Sequence, residues 1–298
     1  MHNTECLNPR FSEIDSWPTS EAVEAMLEGQ MAAIASIKSQ TALIASAAEA
    51  AAARLQLGGR LVYVGAGTSG RVAIQDGVEL GPTFGWPADR LVYLMAGGID
   101  ALVHSAEGAE DDGNDARSQI AIRQIDRNDI VIGVAASGKT PYTVTAIVAA
   151  RETGALTIAI ANNADTPLLT SAEYPLFAAT GSEVIAGSTR MKAGTAQKAM
   201  LNLLSTAIML RLGRVYRGLM VDMVISNDKL LNRAFGIVRT LSNVSEPVAI
   251  EAVHLANNDI KTAVLIALGQ TPEAAAAILQ QHNGILRDAI AALDKARV

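Results

Sequence analysis

Residues 61–70 read LVYVGAGTSG, and the interpretation of that stretch decides the fold of the chain. A β-prone apolar run passes into a glycine-rich turn, and the residues that follow, 69–79, read as a helix. Such a strand-to-helix turn brings backbone N–H groups to a helix N-terminus, where anions bind. The pattern G-x-G-x-x-G is the dinucleotide fingerprint, yet Thr68 and Ser69 within it also offer hydroxyls suited to a terminal phosphate. Glycines alone leave the ligand open.

Working outward, similar runs of Val, Ile, Leu and Ala occur at 60–66, 90–96, 129–136 and 155–161, with a fifth at 174–179. Near-continuous apolar runs are expected of strands covered on both faces. Helical segments separate them, notably 69–79, 111–125 and 140–153. The alternation predicts an α/β fold, an open parallel sheet flanked by helices, with ligands beyond the C-terminal strand ends. Upstream, residues 20–57 are rich in Ala, Glu and Leu and predict a long helix or a helix pair, capped by Thr19 or Ser20. Downstream, residues 187–213 predict a long helix with an apolar stripe of Met191, Ala196, Met200, Leu203, Ala207 and Leu210, the last five at three- and four-residue steps. That stripe fits a core or a dimer interface. No strand signal remains after about 225, so the expected division is a sheet domain with N-terminal helices over 1–224 and a small helical subdomain over 225–298.

The composition narrows the function. Half of the 298 residues are hydrophobic, enough for a substantial core. The formal net charge of −6 argues against nucleic acid or an anionic membrane as partner, since both require a basic face. A single cysteine, Cys6, excludes intramolecular disulfides and cysteine-built zinc sites, and four scattered histidines show no ligand spacing. The first 20 residues lack a basic segment followed by an apolar one, which points to the cytoplasm.

Two motifs compete with the phosphate reading. A dinucleotide fold should place an acidic residue at the end of the second strand, but that strand ends in Leu94, Met95, Ala96, Gly97 and Gly98. The stretch GVAASGKT at 133–140 fits the P-loop pattern, yet its first glycine falls inside a strand and no other strand ends in a magnesium-binding aspartate. A sugar-phosphate site accounts for both turns together. GAGTSG and ASGKTP present amides and hydroxyls at two helix N-termini, which hold a phosphate monoester without a metal. The alternative is that both are simply tight structural turns.

Taken together, these residues resemble the sugar isomerase (SIS) family and, within it, the N-acetylmuramic acid 6-phosphate etherases. The resemblance rests on TE and ID near the start, GAGTSGR, the glutamate-x-x-PTFG segment around Glu79, AGG, EGAEDD, AASGKTPY, GSTRMKAGTAQK and LMVD. It implies a homodimer without metal or organic cofactor that removes D-lactate from the C3 ether of a sugar phosphate. It also implies Glu79 and Glu110 as the catalytic carboxylates, with Glu79 acting at the lactyl ether. Gly67, Thr68, Ser69, Ser137, Gly138 and Thr140 are the implied phosphate contacts, and Glu183, Ser188 and Lys192 are further candidates. The run Val78, Glu79, Leu80, Gly81, Pro82 departs from the family, which commonly carries Ser before the glutamate and Cys-Pro after it.

From the residues alone, Glu79 is expected to close the helix that begins at the first turn, and Glu110 to sit on a glycine-flanked turn before a helix starting near Asp111. Glu110, Asp111 and Asp112 also read as an acidic cluster favoured at a helix N-terminus. Two other functional classes share the phosphate turns: an aldose–ketose isomerase, and a non-catalytic regulator akin to glucokinase regulatory protein, a much longer relative with two SIS domains.

Overall fold

A computed structural model describes residues 3–104 and 106–296. The chain forms two compact units, Met1–Gly77 with Asp89–Ile208, and Val78–Ala88 with Met209–Val298.

The first unit begins with α1 (Thr19–Ser36), a 3-10 break at Ile37–Gln40, and α2 (Thr41–Gln56). Thr19 is the first helical residue after Pro18, with no side-chain cap, so neither Thr19 nor Ser20 plays the capping role the sequence suggests. The alanine-rich face of α2 is buried, with Ala47, Ala48 and Ala51 at 1% exposure or less. Small side chains let a helix lie close to its neighbours. The strands are β1 (Leu61–Gly65), β2 (Leu91–Met95), β3 (Ile130–Val134), β4 (Leu156–Ala161) and β5 (Tyr174–Phe177). They form one parallel sheet in the order β2-β1-β3-β4-β5, with register such as Leu61 opposite Leu91 and Ile130. β1, β3 and β4 are buried at every residue, which is why their sequences are continuously apolar. Each fully buried Leu or Ile contributes roughly 2 kcal/mol.

The intervening helices are α3 (Gly67–Phe84), α4 (Gly113–Ile122), α5 (Pro141–Glu152), α6 (Pro167–Ser171) and α7 (Lys192–Arg211). On α7 the buried face comprises Ala193, Ala196, Met200, Leu201 and Leu204. The stripe expected from sequence is therefore only partly inward: Met191 precedes the helix, and Leu203 and Leu210 are about half exposed, at 49% and 47%. Ser205 and Asn202 of α7 and Tyr63 of β1 all donate hydrogen bonds to the buried Asp76 of α3, at 3.1, 2.6 and 3.0 Å. Burial holds the Asp76 carboxyl above its ordinary pKa, against the pull of these three donors.

At the N-terminal edge of the sheet, arginines tie the chain together. Arg60 grips Asp129 through Nε and Nη2, at 3.0 and 2.6 Å, and also donates to the Arg123 and Gln124 carbonyls. Arg54 donates to the carbonyls of Arg127 and Gly154, and Arg90 to those of Leu55 and Gly59.

The second unit contains a hairpin, β6 (Val215–Tyr216) and β7 (Leu219–Met220), then α8 (Asp228–Ser242), α9 (Glu246–Leu255), α10 (Ile260–Ala267), α11 (Pro272–Gln281) and α12 (Leu286–Ala296). The hairpin turn uses Arg217 and Gly218, both at positive φ, a geometry matched to the strand twist. Residues 209–224 group with the C-terminal helices, whereas the sequence reading placed them before its boundary at 225. Tyr216, Val221 and Met223 are buried in the same cluster as Val238, Val253 and Val264, so burial draws this segment to the helices. The end of α3 belongs to this unit too. The Val224 amide donates to the Pro82 carbonyl at 3.1 Å, and Arg214 donates to the carbonyls of Phe84 and Gly85. Gly85 sits at φ +59°, where a Cβ would lie 2.4 Å from the Asp222 carbonyl oxygen. Lys261 is buried, pairs with Asp222 at 2.5 Å and donates to the Gly284 carbonyl. Among the described residues, no single helix is long and apolar enough to cross a membrane.

Candidate active site

The site is built from four segments of the first unit that meet beyond the C-terminal ends of the strands. In the first turn, Gly65 and Gly70 touch backbone to backbone: a Cβ on Gly65 would lie 2.7 Å from the Gly70 Cα. That contact folds the start of α3 tightly over the end of β1. Gly67 has φ +51° and opens into free space, leaving Thr68 and Ser69 at the helix N-terminus.

The second turn leaves β3 at Ala135. Ser137 Oγ accepts from the Lys139 amide at 3.2 Å, and Thr140 precedes Pro141 at the start of α5. The Thr140 side chain makes no capping bond, so its hydroxyl is not committed to the helix. Gly138 is pressed against Thr166 at φ +66°; any Cβ would clash with the threonine side chain at 2.2 Å.

Glu110 is carried by a 3-10 turn, Ala109–Asp111, preceded by Gly108 in the left-handed region at φ +72°. The AGG turn after β2 holds this segment in place. A Cβ on Gly97 would meet those of Ala106 and Ala109 at 2.4 and 3.3 Å, so glycine permits the two loops to touch. The fourth segment leads into α7. Glu183 is fully buried and accepts from the Lys192 and Ala193 amides, both at 2.9 Å, capping that helix. Burial raises its pKa, opposed by those two amides.

Together these segments enclose a cavity of about 460 Å³ lined by Gly67, Thr68, Ser69, Glu110, Ser137 and Thr140 among others. Thr4, Glu5, Asp111, Lys139 and Thr189 complete its polar wall. A second cavity of similar volume shares Ala66, Gly67, Thr68 and Glu110 and adds Arg71 and Glu107. Arg71 is oriented by its bonds to the Ala101 carbonyl, at 3.2 and 3.0 Å. The first cavity joins hydroxyls, two helix N-termini, one cation and carboxylates, a donor-rich surface for a phosphate beside acceptors for hydroxyl groups.

The structure thus brings five of the six expected phosphate residues to one cavity with Glu110. Gly138 is absent from the lining and acts as the turn that shapes it. Glu79 does not line the cavity either; it is exposed on α3 and counts with the second unit. The helix runs on to Phe84, so Glu79 lies within it, although Pro82 removes one of its last hydrogen bonds. Glu110 precedes α4 as expected, but that helix starts at Gly113, where Asp112 caps it by accepting from the Asp115 amide at 2.9 Å. Glu183 and Lys192 are engaged in structure: one caps α7, and the ammonium of the other donates to the Ser182 carbonyl. Ser188 is not in the wall, whereas its neighbours Gly187 and Thr189 are. In the P-loop-like stretch, Gly133 lies inside β3 against Ile147. Among the described residues, no group of three or more His, Cys, Asp or Glu side chains is placed to hold a metal ion. Thr4, Glu5, Asp111, Lys139 and Thr189 line the cavity without having been expected as contacts, and Thr4 and Glu5 lie farthest from the others in sequence. Those two sit in a single 3-10 turn, Asn3–Glu5, too short to show a periodicity.

Comparison with known proteins bears on this geometry. The model of the glucokinase regulatory protein N-terminal SIS domain matches residues 43–151, and that of the SIS domain matches residues 112–207. The N-acetylmuramic acid 6-phosphate etherase of Deinococcus radiodurans is 41% identical, over 96% of this chain and 94% of its own. This chain belongs to the N-acetylmuramic acid 6-phosphate etherase family. The etherase of Streptomyces coelicolor is 42% identical over 97% of this chain and 93% of its own, and that of Symbiobacterium thermophilum 45% identical over 86% and 85%. Such coverage extends family membership to both units, and the ranges matched by the SIS domain models include both glycine-rich turns.

Proposed function

We propose that the protein cleaves the D-lactyl ether of N-acetylmuramic acid 6-phosphate, giving N-acetylglucosamine 6-phosphate and D-lactate, with the phosphate held in the first unit's cavity. The observation that carries this reading is the convergence of Thr68, Ser69, Ser137 and Thr140 with Glu110 on one cavity, in a chain of the etherase family. Amides and hydroxyls at two helix N-termini suit a phosphate dianion, and Lys139 adds a positive charge.

An unactivated alkyl ether resists cleavage. In the ring-opened sugar, however, the C2 proton is α to the aldehyde and the lactyl oxygen is on the β carbon. A carboxylate takes the C2 proton, the C3–O bond breaks with its electrons on the lactate oxygen, and a carboxylic acid returns a proton to that oxygen. Water then adds at C3 of the unsaturated aldehyde, with its proton delivered to C2. We assign these transfers to Glu79 and Glu110, each contributing on the order of a hundredfold or more. Glu110 is supported by its place in the cavity wall. Glu79 is supported by the family segment in which it lies, and its exposure leaves the carboxylate free to meet substrate.

A homodimer and a cytoplasmic location belong to the same reading. On α1, Val23, Leu27, Met31 and Ile34 recur at helical spacing and are between 48% and 66% exposed. An apolar stripe of this kind suits a second copy of the chain. A charged phosphate ester stays in the compartment where it is made.

The deciding experiment is D-lactate release from N-acetylmuramic acid 6-phosphate by the purified protein, with EDTA present and in ¹⁸O water. The expected result is release with solvent oxygen entering the sugar at C3. Binding of the sugar phosphate without release overturns the reaction and favours the regulatory reading, while turnover of a sugar phosphate that lacks the lactyl group points to isomerisation.

A further inference from the structure

We propose that Glu5 is a substrate-binding residue of the cavity, accepting hydrogen bonds from hydroxyl or amide N–H groups of the sugar, and that Thr4 is the residue that positions it. This rests on the reading of the cavity as a sugar-phosphate site. The N-terminal segment is fastened rather than trailing. Thr4 is 1% exposed, and its hydroxyl accepts from Asn163 Nδ2 at 3.0 Å. The same amide nitrogen donates to the Ala136 carbonyl at 2.9 Å, so Thr4 is tied through one side chain to the second phosphate turn. The Thr4 carbonyl accepts from the Gly187 amide at 3.2 Å, which ties it to the loop leading to α7. A few residues on, Phe11 is buried with Ala25 and Val184. Anchored at both Thr4 and Phe11, the segment delivers the Glu5 side chain to the wall that holds Thr68, Ser69 and Ser137.

The chemistry of Glu5 restricts its partner. An ionised carboxylate only accepts hydrogen bonds and repels a phosphate, so within this cavity its complement is the donor-bearing part of the ligand. Among the described residues, Glu5 makes no ion pair that would commit it elsewhere. A site built to bond a hydroxyl discriminates strongly against losing that bond.

The test measures binding of N-acetylglucosamine 6-phosphate and of inorganic phosphate, by calorimetry, to the wild type and to Glu5→Ala, Glu5→Gln, Thr4→Val and Thr4→Ser. Glu5→Ala is expected to weaken the sugar phosphate about tenfold while leaving inorganic phosphate unchanged or slightly tighter, in line with a lost charged hydrogen bond. Glu5→Gln recovers part of the loss, because its amide oxygen still accepts. Thr4→Val follows Glu5→Ala to a smaller extent, and Thr4→Ser, which keeps the hydroxyl, does not. In lactate release, the KM of Glu5→Ala rises by more than its kcat falls. Wild-type affinity of Glu5→Ala for the sugar phosphate overturns the proposal, as does an equal loss for both ligands. A wild type that binds sugar phosphate but releases no lactate defeats the reaction reading alone, and the binding contrast still decides Glu5. A wild type that binds neither ligand overturns both.

Discussion

The two edges of the parallel sheet in the first unit spend their polar groups differently. At the N-terminal edge, Arg54, Arg60 and Arg90 donate to backbone carbonyls and, from Arg60, to Asp129, so their guanidinium groups tie the chain to itself. At the C-terminal edge, Thr68, Ser69, Glu110 and Thr140 face a cavity. Long side chains close loops at one edge, while short hydroxyls and glycines leave space at the other. One edge holds the fold and the other is available for chemistry, the division expected of open α/β sheets.

Mutations at the two edges should separate stability from turnover. The largest effect is expected at the carboxylates: Glu110→Gln and Glu79→Gln should each lower kcat at least a hundredfold, with the melting temperature and sugar-phosphate binding little changed. A variant that turns over at near the wild-type rate removes that glutamate from the mechanism.

At the opposite edge, Asp129→Asn should cost about 2–3 kcal/mol of stability in denaturant unfolding, with kcat per folded molecule unaltered. Its pH dependence has a defined sign. Burial raises the Asp129 pKa, but the hydrogen bonds from the Arg60 side chain and the Asp126 and Arg60 amides outweigh it, and the folded value lies below the ordinary 3.8. The native state then binds fewer protons than the unfolded state, so the contribution is complete above the ordinary carboxylate value and is lost as pH falls below it through the lower folded value. The stability gap between wild type and Asp129→Asn should narrow on acidification, and a gap that widens contradicts the ion pair as its source. The smallest effect belongs to Ser69→Ala combined with Ser137→Ala. With both assigned to the remote phosphate in the proposed reading, KM should rise about tenfold with a lesser change in kcat; a defect confined to kcat contradicts the phosphate role.

Much of this was legible in the sequence. All five strand runs are strands, trimmed by one to three residues in total, and in β1, β3 and β4 the reason is that a strand buried on both faces must be apolar throughout. The Ser and Thr turns were legible because glycine spacing reports close backbone approach, which the Gly65 and Gly70 contact shows. Other features were not. The β6–β7 hairpin turns on Arg217 at positive φ, a residue with no propensity for it. Glu183 is a candidate contact only through the resemblance; that it is buried and caps α7 by accepting from two amides shows only in the tertiary structure.

By itself, then, the sequence determined the succession of strands and helices along the chain, the two glycine-rich turns and the family. These are properties of local pattern: periodicity, glycine placement and motif spacing. Tertiary structure alone decided that residues 209–224 join the C-terminal helices, that Leu203 faces outward, and that Thr4 and Glu5 reach the cavity 60 residues and more from the turns they join. The reason is that burial and long-range hydrogen bonds, such as Thr4 to Asn163, depend on which surfaces meet, and no local pattern encodes that.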